Sequence, residues 1–144
     1  MKNINDIVFI TPSNSTNIYQ ELSTNYSAIE TPTWSLLLAE SCRSIGYNVS
    51  IIDTLASQMT DDQAFESIER LNPRLICFVV YGQNVNAGTT NMSGATRLSN
   101  LIKEREIKSP IVFIGSHAQA LPSQTLEKEK SIDIICTNEG VYSI

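Results

Sequence analysis

The sequence predicts an α/β fold, a doubly wound five-stranded parallel sheet with helices on both faces. Three observations carry that prediction. Short apolar runs alternate with stretches whose apolar residues recur at helical spacing. The run 75–81 (LICFVVY) does not alternate polar and apolar residues, as expected of a strand buried on both faces. It opens into 82–91 (GQNVNAGTTN), a polar, glycine-bearing loop, where an open α/β sheet places its ligand.

The elements follow in order. Residues 6–10 (DIVFI) form the first strand, and 11–31 a polar loop rich in Ser, Thr and Asn. A loop that long in a compact domain is functional or disordered. Thr31 and Pro32 then mark a helix start, Thr as N-cap and Pro at the first helical position. Trp34, Leu37, Leu38, Cys42 and Ile45 make its apolar stripe, and Gly46 ends it. Residues 47–52 (YNVSII) are the second strand, closed by Asp53. Thr60 and Gln63 form a capping box for a helix that buries Ala64, Phe65, Ile68 and Leu71. Pro73 stops that helix, because proline disfavours the helical conformation at Asn72. After the central strand and its loop, Met92, Ala95, Leu98 and Ile102 mark the third helix, broken at Ser109-Pro110. Residues 111–114 (IVFI) form the fourth strand, ending at Gly115, Ser116 and His117. Pro122 opens a short helix to Leu126, and 132–136 (IDIIC) form the fifth strand, which leads into Thr137, Asn138, Glu139 and Gly140. Parallel neighbours require crossover connections, and right-handed crossovers leave few arrangements. The predicted one is the flavodoxin-like, Rossmann-like order 2-1-3-4-5 in three α/β/α layers, with its switch point between strands one and three.

At 144 residues the chain is one domain, 1–144, with a single substantial core. A helix normally covers strand five, and only 139–144 remain to begin one, so the domain is expected to be a fragment of a longer protein. The net charge of −5, with ten scattered basic residues, argues against a nucleic-acid surface. The apolar runs are far too short to span a membrane, and the N-terminus MKNIND has no signal-like apolar region, so the cytoplasm is expected. Cys42, Cys77 and Cys136 are too widely spaced for a disulfide framework or a metal pattern and are read as small core residues. With His117 as the only histidine, no structural zinc site is expected.

Several segments match one family in order. TPTWSLLLAES follows the first-strand loop. SIGYNVSIIDT matches the pattern aGHeVeiiD at Gly46, Val49 and Asp53, with Tyr47 in place of His. LNPRLICFVV matches a strand pattern l.Pd.vgis. IVFIGSHAQALPSQTL matches vv.GGpHat..pe..l at Gly115, His117 and Pro122, with Ser116 replacing the second Gly. IDIICTNEG matches iD.vv.GEGE at Asp133, Glu139 and Gly140, with Asn138 replacing Gly. Together these resemble the cobalamin (B12)-binding domain found N-terminal to many radical S-adenosylmethionine (SAM) enzymes.

The resemblance implies a cobalamin cofactor lying across the C-terminal edge of the sheet, its nucleotide tail in the crevice beside the central strand. It implies that Gly82, Gly115 and Ser116 let backbone approach the ligand, and that Ser13, Asn14, Gln83 and Asn84 pair with the corrin amides. Backbone N–H groups of Asn138, Glu139 and Gly140 would meet the tail phosphate or ribose if they open a helix, and Glu139 would accept from a ribose hydroxyl. His117 would either touch the ligand or tie its own loop together. Tyr81 would stack on the ligand at the rim, whereas Trp34, on the apolar stripe, reads as core. The motif D-x-H-x-x-G, whose His binds cobalt in other cobalamin proteins, is absent from 11–31, so a base-off cofactor without a His ligand is implied. The cluster motif C-x-x-x-C-x-x-C is also absent. The [4Fe-4S] cluster and S-adenosylmethionine therefore belong to a radical SAM domain elsewhere in the longer chain, in a methyltransferase or related enzyme, and no catalysis is expected from this chain alone. Two other functions fit the residues. One is a flavodoxin-like FMN binder, from the hydroxyl-rich TPSNSTN; the other is a non-catalytic interaction domain with a vestigial pocket, from Ser116 and Asn138 in place of glycines.

Overall fold

The computed structural model describes residues 5–12, 29–82 and 85–144, with backbone alone at 85–87. The described elements are β1 (Ile7–Thr11), α1 (Thr33–Ser44), β2 (Val49–Asp53), α2 (Asp61–Leu71), β3 (Leu75–Val79), α3 (Val85–Glu104), β4 (Ile111–Ile114), α4 (Ser116–Ala120), α5 (Pro122–Lys128) and β5 (Ile134–Cys136). The five strands form one parallel sheet in the order β2-β1-β3-β4-β5, the order expected from the sequence.

Side-chain alternation divides the core into two layers. Val8, Ile10, Ile76, Phe78 and Phe113 point to one face, where Phe65 and Ile68 of α2 and Leu98 and Ile102 of α3 cover them. Ile7, Phe9, Cys77, Val79 and Ile114 point to the other, under Leu38, Ala39 and Cys42 of α1. All three cysteines are buried there, free and apart from any disulfide. Burial drives the Cys77 thiol well above its ordinary pKa, and the neighbouring Cys136 and Cys42 push it further.

The α2 capping box forms as read: Gln63 N–H donates to Thr60 Oγ1 at 3.2 Å, and Thr60 N–H donates to Gln63 Oε1 at 3.0 Å. Asn72 closes the helix in the left-handed conformation, φ 48°. Thr60→Ala should therefore cost about 1 kcal/mol in a urea melt.

Three expectations are corrected. First, α1 begins at Thr33 with Pro32 as N-cap, and Thr31 makes no side-chain cap. Its buried stripe is Ser35, Leu38, Ala39 and Cys42, while Leu37 is 53% and Ile45 73% exposed. A hydroxyl occupies the stripe because Ser35 Oγ bonds Thr11 Oγ1 at 2.7 Å, which satisfies both groups at the end of β1. Second, the loop read over 82–91 is largely helix, since α3 starts at Val85. The Asn, Gly and Thr residues that read as turn signals lie on a helix docked by a glycine: a Cβ on Gly88 would strike Ser116 Oγ and come within 3.4 Å of the Val80 carbonyl. Third, Gly115 leads straight into the one-turn helix α4, and no helix opens at 138–140.

Candidate functional site

The described ends of β1, β3, β4 and β5 bring Thr11, Tyr81, Gly82, the turn at Gly115, Ser116 and His117, and the stretch from Asn138 to Gly140 to one edge of the sheet. Ser13, Asn14, Gln83 and Asn84 lie outside the described residues.

The floor of this edge is a close approach between the ends of β3 and β4. Val80 N–H donates to the Ile114 carbonyl at 2.7 Å. A Cβ on Gly115 would meet the Val80 carbonyl oxygen and lie 2.7 Å from its carbon. Only glycine fits there, and its φ of +153° is one that other residues rarely adopt. Ser116 follows. Its Oγ is buried and has no hydrogen-bond partner among the described residues. A buried, unpaired hydroxyl costs about 1–3 kcal/mol, which makes this oxygen a candidate contact for a bound group.

A second feature spans the rim. The Trp34 and Tyr81 rings stack with centroids 4.7 Å apart at an interplanar angle of 23°. Gln119 Nε2 donates to the Tyr81 hydroxyl at 2.9 Å and to the Asn138 carbonyl at 2.7 Å, which links the end of β3 to the end of β5. Burial raises the Tyr81 pKa; the Gln119 hydrogen bond opposes the shift, and the Glu139 carboxylate and Cys136 add to it. The phenol therefore stays un-ionised throughout the neutral range.

The remaining candidates face elsewhere. Asn138 serves its own turn: its Oδ1 accepts from Gly140 N–H at 2.8 Å and from Cys136 Sγ at 3.1 Å. Gly140, at φ +82°, is buried against the core: a Cβ there would lie 2.5 Å from Ile114 Cδ1 and 3.1 Å from Leu38 Cδ2. Glu139 is exposed. His117 Nδ1 sits 3.4 Å from Thr89 Oγ1, tying α4 to α3. It also borders a groove of 490 Å³ running along α3 and α5 to Lys128 and Glu129. Gln119, Gly88 and Ser35 were not read as site residues. Each acts through a partner 24 to 38 positions away or through packing, so no local pattern marks it.

A sequence model of the B12 binding domain matches residues 22–143. No curated protein matches the chain. Among solved structures it is similar to the cobalamin-dependent S-adenosylmethionine radical enzyme OxsB with aqua-cobalamin and S-adenosylmethionine bound. That match has a TM-score of 0.70 at 17% identity, over 97% of this chain and 18% of that one. It is also similar to the radical S-adenosylmethionine methyltransferase TsrM from Kitasatospora setae. The form with tryptophan and a SAM analog gives a TM-score of 0.62 at 14% identity, over 86% of this chain and 21% of that one. The form with cobalamin and a [4Fe-4S] cluster gives 0.62 at 13% identity, over 90% and 21%. The chain thus shares its fold with a segment amounting to 18–21% of these enzymes.

Proposed function

This chain belongs to the B12-binding domain family, and from that premise we infer that it binds cobalamin as one module of a larger radical SAM enzyme. The observation that carries this reading is the buried, unpartnered Ser116 Oγ at the glycine-lined edge of β3 and β4. The residues present fit the cofactor. Gly115 lets the ends of β3 and β4 close up at the Val80 carbonyl; Gly82 is proposed to let the ligand approach backbone, Ser116 to offer a hydroxyl to a corrin amide, and Tyr81 to supply an apolar wall. Ser13, Asn14, Gln83 and Asn84 complete the proposed set of amide partners, with Glu139 and the backbone at Asn138 and Gly140 on the β5 side.

The cofactor is proposed to bind base-off without a His ligand. One fact supports this: 11–31 contain no histidine. When bound, cobalamin supplies methyl- or electron-transfer chemistry at its cobalt. The chain's own work is to bind, orient and shield. The iron–sulfur cluster, S-adenosylmethionine and the catalytic groups of a methyltransferase or related enzyme are placed in a domain outside this chain. No helix among the described residues is long and apolar enough to cross a membrane, and a cytoplasmic location is part of the proposal.

Mixing the protein with hydroxocobalamin should shift the visible spectrum and make cobalt co-elute with the chain. Failure to bind at micromolar cofactor would end the cobalamin reading. Ser116→Ala gives a sharper test, because its two effects have opposite signs. Without cofactor the variant should be more stable by about 1 kcal/mol, since an unpaired buried hydroxyl is gone. Its affinity for hydroxocobalamin should nevertheless fall several-fold. Equal affinity in the two proteins would remove Ser116 from the site.

A second reading, a non-catalytic interaction domain with a vestigial pocket, is favoured by one observation. Gln119 already bridges Tyr81 and Asn138, so the chain's own polar groups close part of the rim. A well-folded preparation that takes up no corrinoid would support this second reading.

A further inference from the structure

We propose that the outward face of α1 is a self-association surface, on which a second copy of this chain packs its own α1 antiparallel across a two-fold axis. The inference goes beyond the cobalamin reading and does not depend on it.

The outward side of α1 is unusually apolar. Five of the eleven large apolar side chains exposed among the described residues fall within 34–47. The helix buries Ser35, Leu38, Ala39 and Cys42 against the sheet. At about 3.6 residues per turn, the other side presents Leu36, Leu37, Glu40 and Arg43. Leu36 is 47% and Leu37 53% exposed. At the helix end, Gly46 N–H donates to the Arg43 carbonyl at 3.0 Å and Tyr47 N–H to the Cys42 carbonyl at 3.2 Å. This turn fixes Tyr47 just past the last helical residues and leaves it 44% exposed. Apolar side chains gathered at one surface in this way mark an interaction site.

The charges on this face select the occupant. The chain carries a net charge of −5, so two copies repel unless they meet at a neutral surface. α1 provides one. Its only charged residues are Glu40 and Arg43, one of each sign, paired with each other at 2.8 Å on the exposed side. They are also self-complementary, as a two-fold interface requires. In an antiparallel pairing centred between 41 and 42, Glu40 faces Arg43 of the second copy, and Arg43 faces its Glu40. The same register sets Leu36 opposite Tyr47 of the second copy. Four charges of alternating sign then lie between two apolar contacts. Any other partner would have to supply an acid, a base and both apolar groups at this spacing, whereas a second copy has them by symmetry. The centre lies in the C-terminal half of α1, away from Trp34 and the sheet edge, so each copy keeps its own site open.

Sedimentation equilibrium of the full chain, from low micromolar to near-millimolar concentration, tests this. Wild type should dimerise reversibly with a Kd on the order of tens of micromolar, as suits a contact smaller than a standard interface. Glu40→Arg places four positive charges at the centre and Arg43→Glu four negative ones. Each should weaken dimerisation by about 10-fold or more. Mixing the two single variants should restore association, because each then offers the charges that the other lacks. The double variant Glu40→Arg/Arg43→Glu, with both signs exchanged, should dimerise like wild type. Misfolded chains would not recover on mixing, so the mixture separates lost pairing from lost structure. A wild type that stays monomeric throughout overturns the inference and leaves this face to a different partner. Dimers that tolerate either single variant, or single variants that stay apart on mixing, overturn the α1 pairing.

Discussion

Gly115→Ala is expected to abolish hydroxocobalamin uptake and to destabilise the domain by about 2–3 kcal/mol. The added methyl would meet the Val80 carbonyl oxygen, with the Val80 carbonyl carbon at 2.7 Å and its Cα at 3.2 Å. These are backbone atoms, so no rotamer change relieves the contact. Val80 cannot retreat freely, because its N–H is bonded to the Ile114 carbonyl one residue before the substitution. Relief requires the ends of β3 and β4 to separate, and Ser116 Oγ and the Gly88 contact move with them. Stability and site geometry should therefore fail together. Urea melts with and without hydroxocobalamin measure both. Gly46→Ala is the control: its φ of +98° is equally foreign to alanine, yet no atom lies within 4 Å of the new Cβ. It should cost only the left-handed backbone strain, about 1–2 kcal/mol, and leave uptake unchanged. If Gly115→Ala binds hydroxocobalamin like wild type, the β3–β4 edge is not the site.

The parts of the fold that could be read from sequence are those written into short-range spacing. Thr60 and Gln63 are three residues apart and determine one helix end between them. The β3 run has no alternation because Cys77 and Phe78 face two different buried layers. Gly115 stands where its motif places it, and the reason proves to be a backbone contact with Val80. The start of α3 was hidden because Gly88 looks like a turn residue until Ser116 is brought against it from 28 positions away. The α1 stripe was misread for a similar reason. Periodicity selects a face, but Ser35 belongs on the buried face only because Thr11 offers it a hydrogen bond, and Trp34 leaves the core because Tyr81 offers it a ring. Gly140 shows the opposite case. A glycine at the end of β5 suggests ligand approach, but its missing side chain makes room for Ile114 and Leu38. The sequence thus indicates which strand ends meet, while tertiary contacts decide which side chains remain free for a ligand.

Phe78→Ala should cost about 3–5 kcal/mol, a large share of the 5–15 kcal/mol by which a domain of this size is usually stable. The ring is fully buried on the α2–α3 face of β3. It packs against Phe113, its register partner on β4, with centroids 4.9 Å apart and planes tilted by 34°. Truncation leaves a cavity between the sheet and the α2–α3 layer, beneath strands that hydrogen bonds hold in place, so collapse around it is limited. Phe113→Ala should behave alike. The double variant should lose about 0.5–1.5 kcal/mol less than the sum of the two, because the ring pair can be lost only once. Chemical melts of the four proteins test this, and strict additivity would deny the coupling. The same variants separate core from site. Phe78 belongs to the buried layer under α2 and α3 and is not among the proposed ligand groups, so the folded fraction of Phe78→Ala should keep wild-type affinity for hydroxocobalamin. Saturating cofactor should then return the same increment of stability to both proteins, since that increment depends only on ligand concentration and affinity. Gly115→Ala should gain no such increment. A large loss without rescue in one variant, against a larger loss with full rescue in the other, distinguishes a residue that shapes the pocket from one that only supports it.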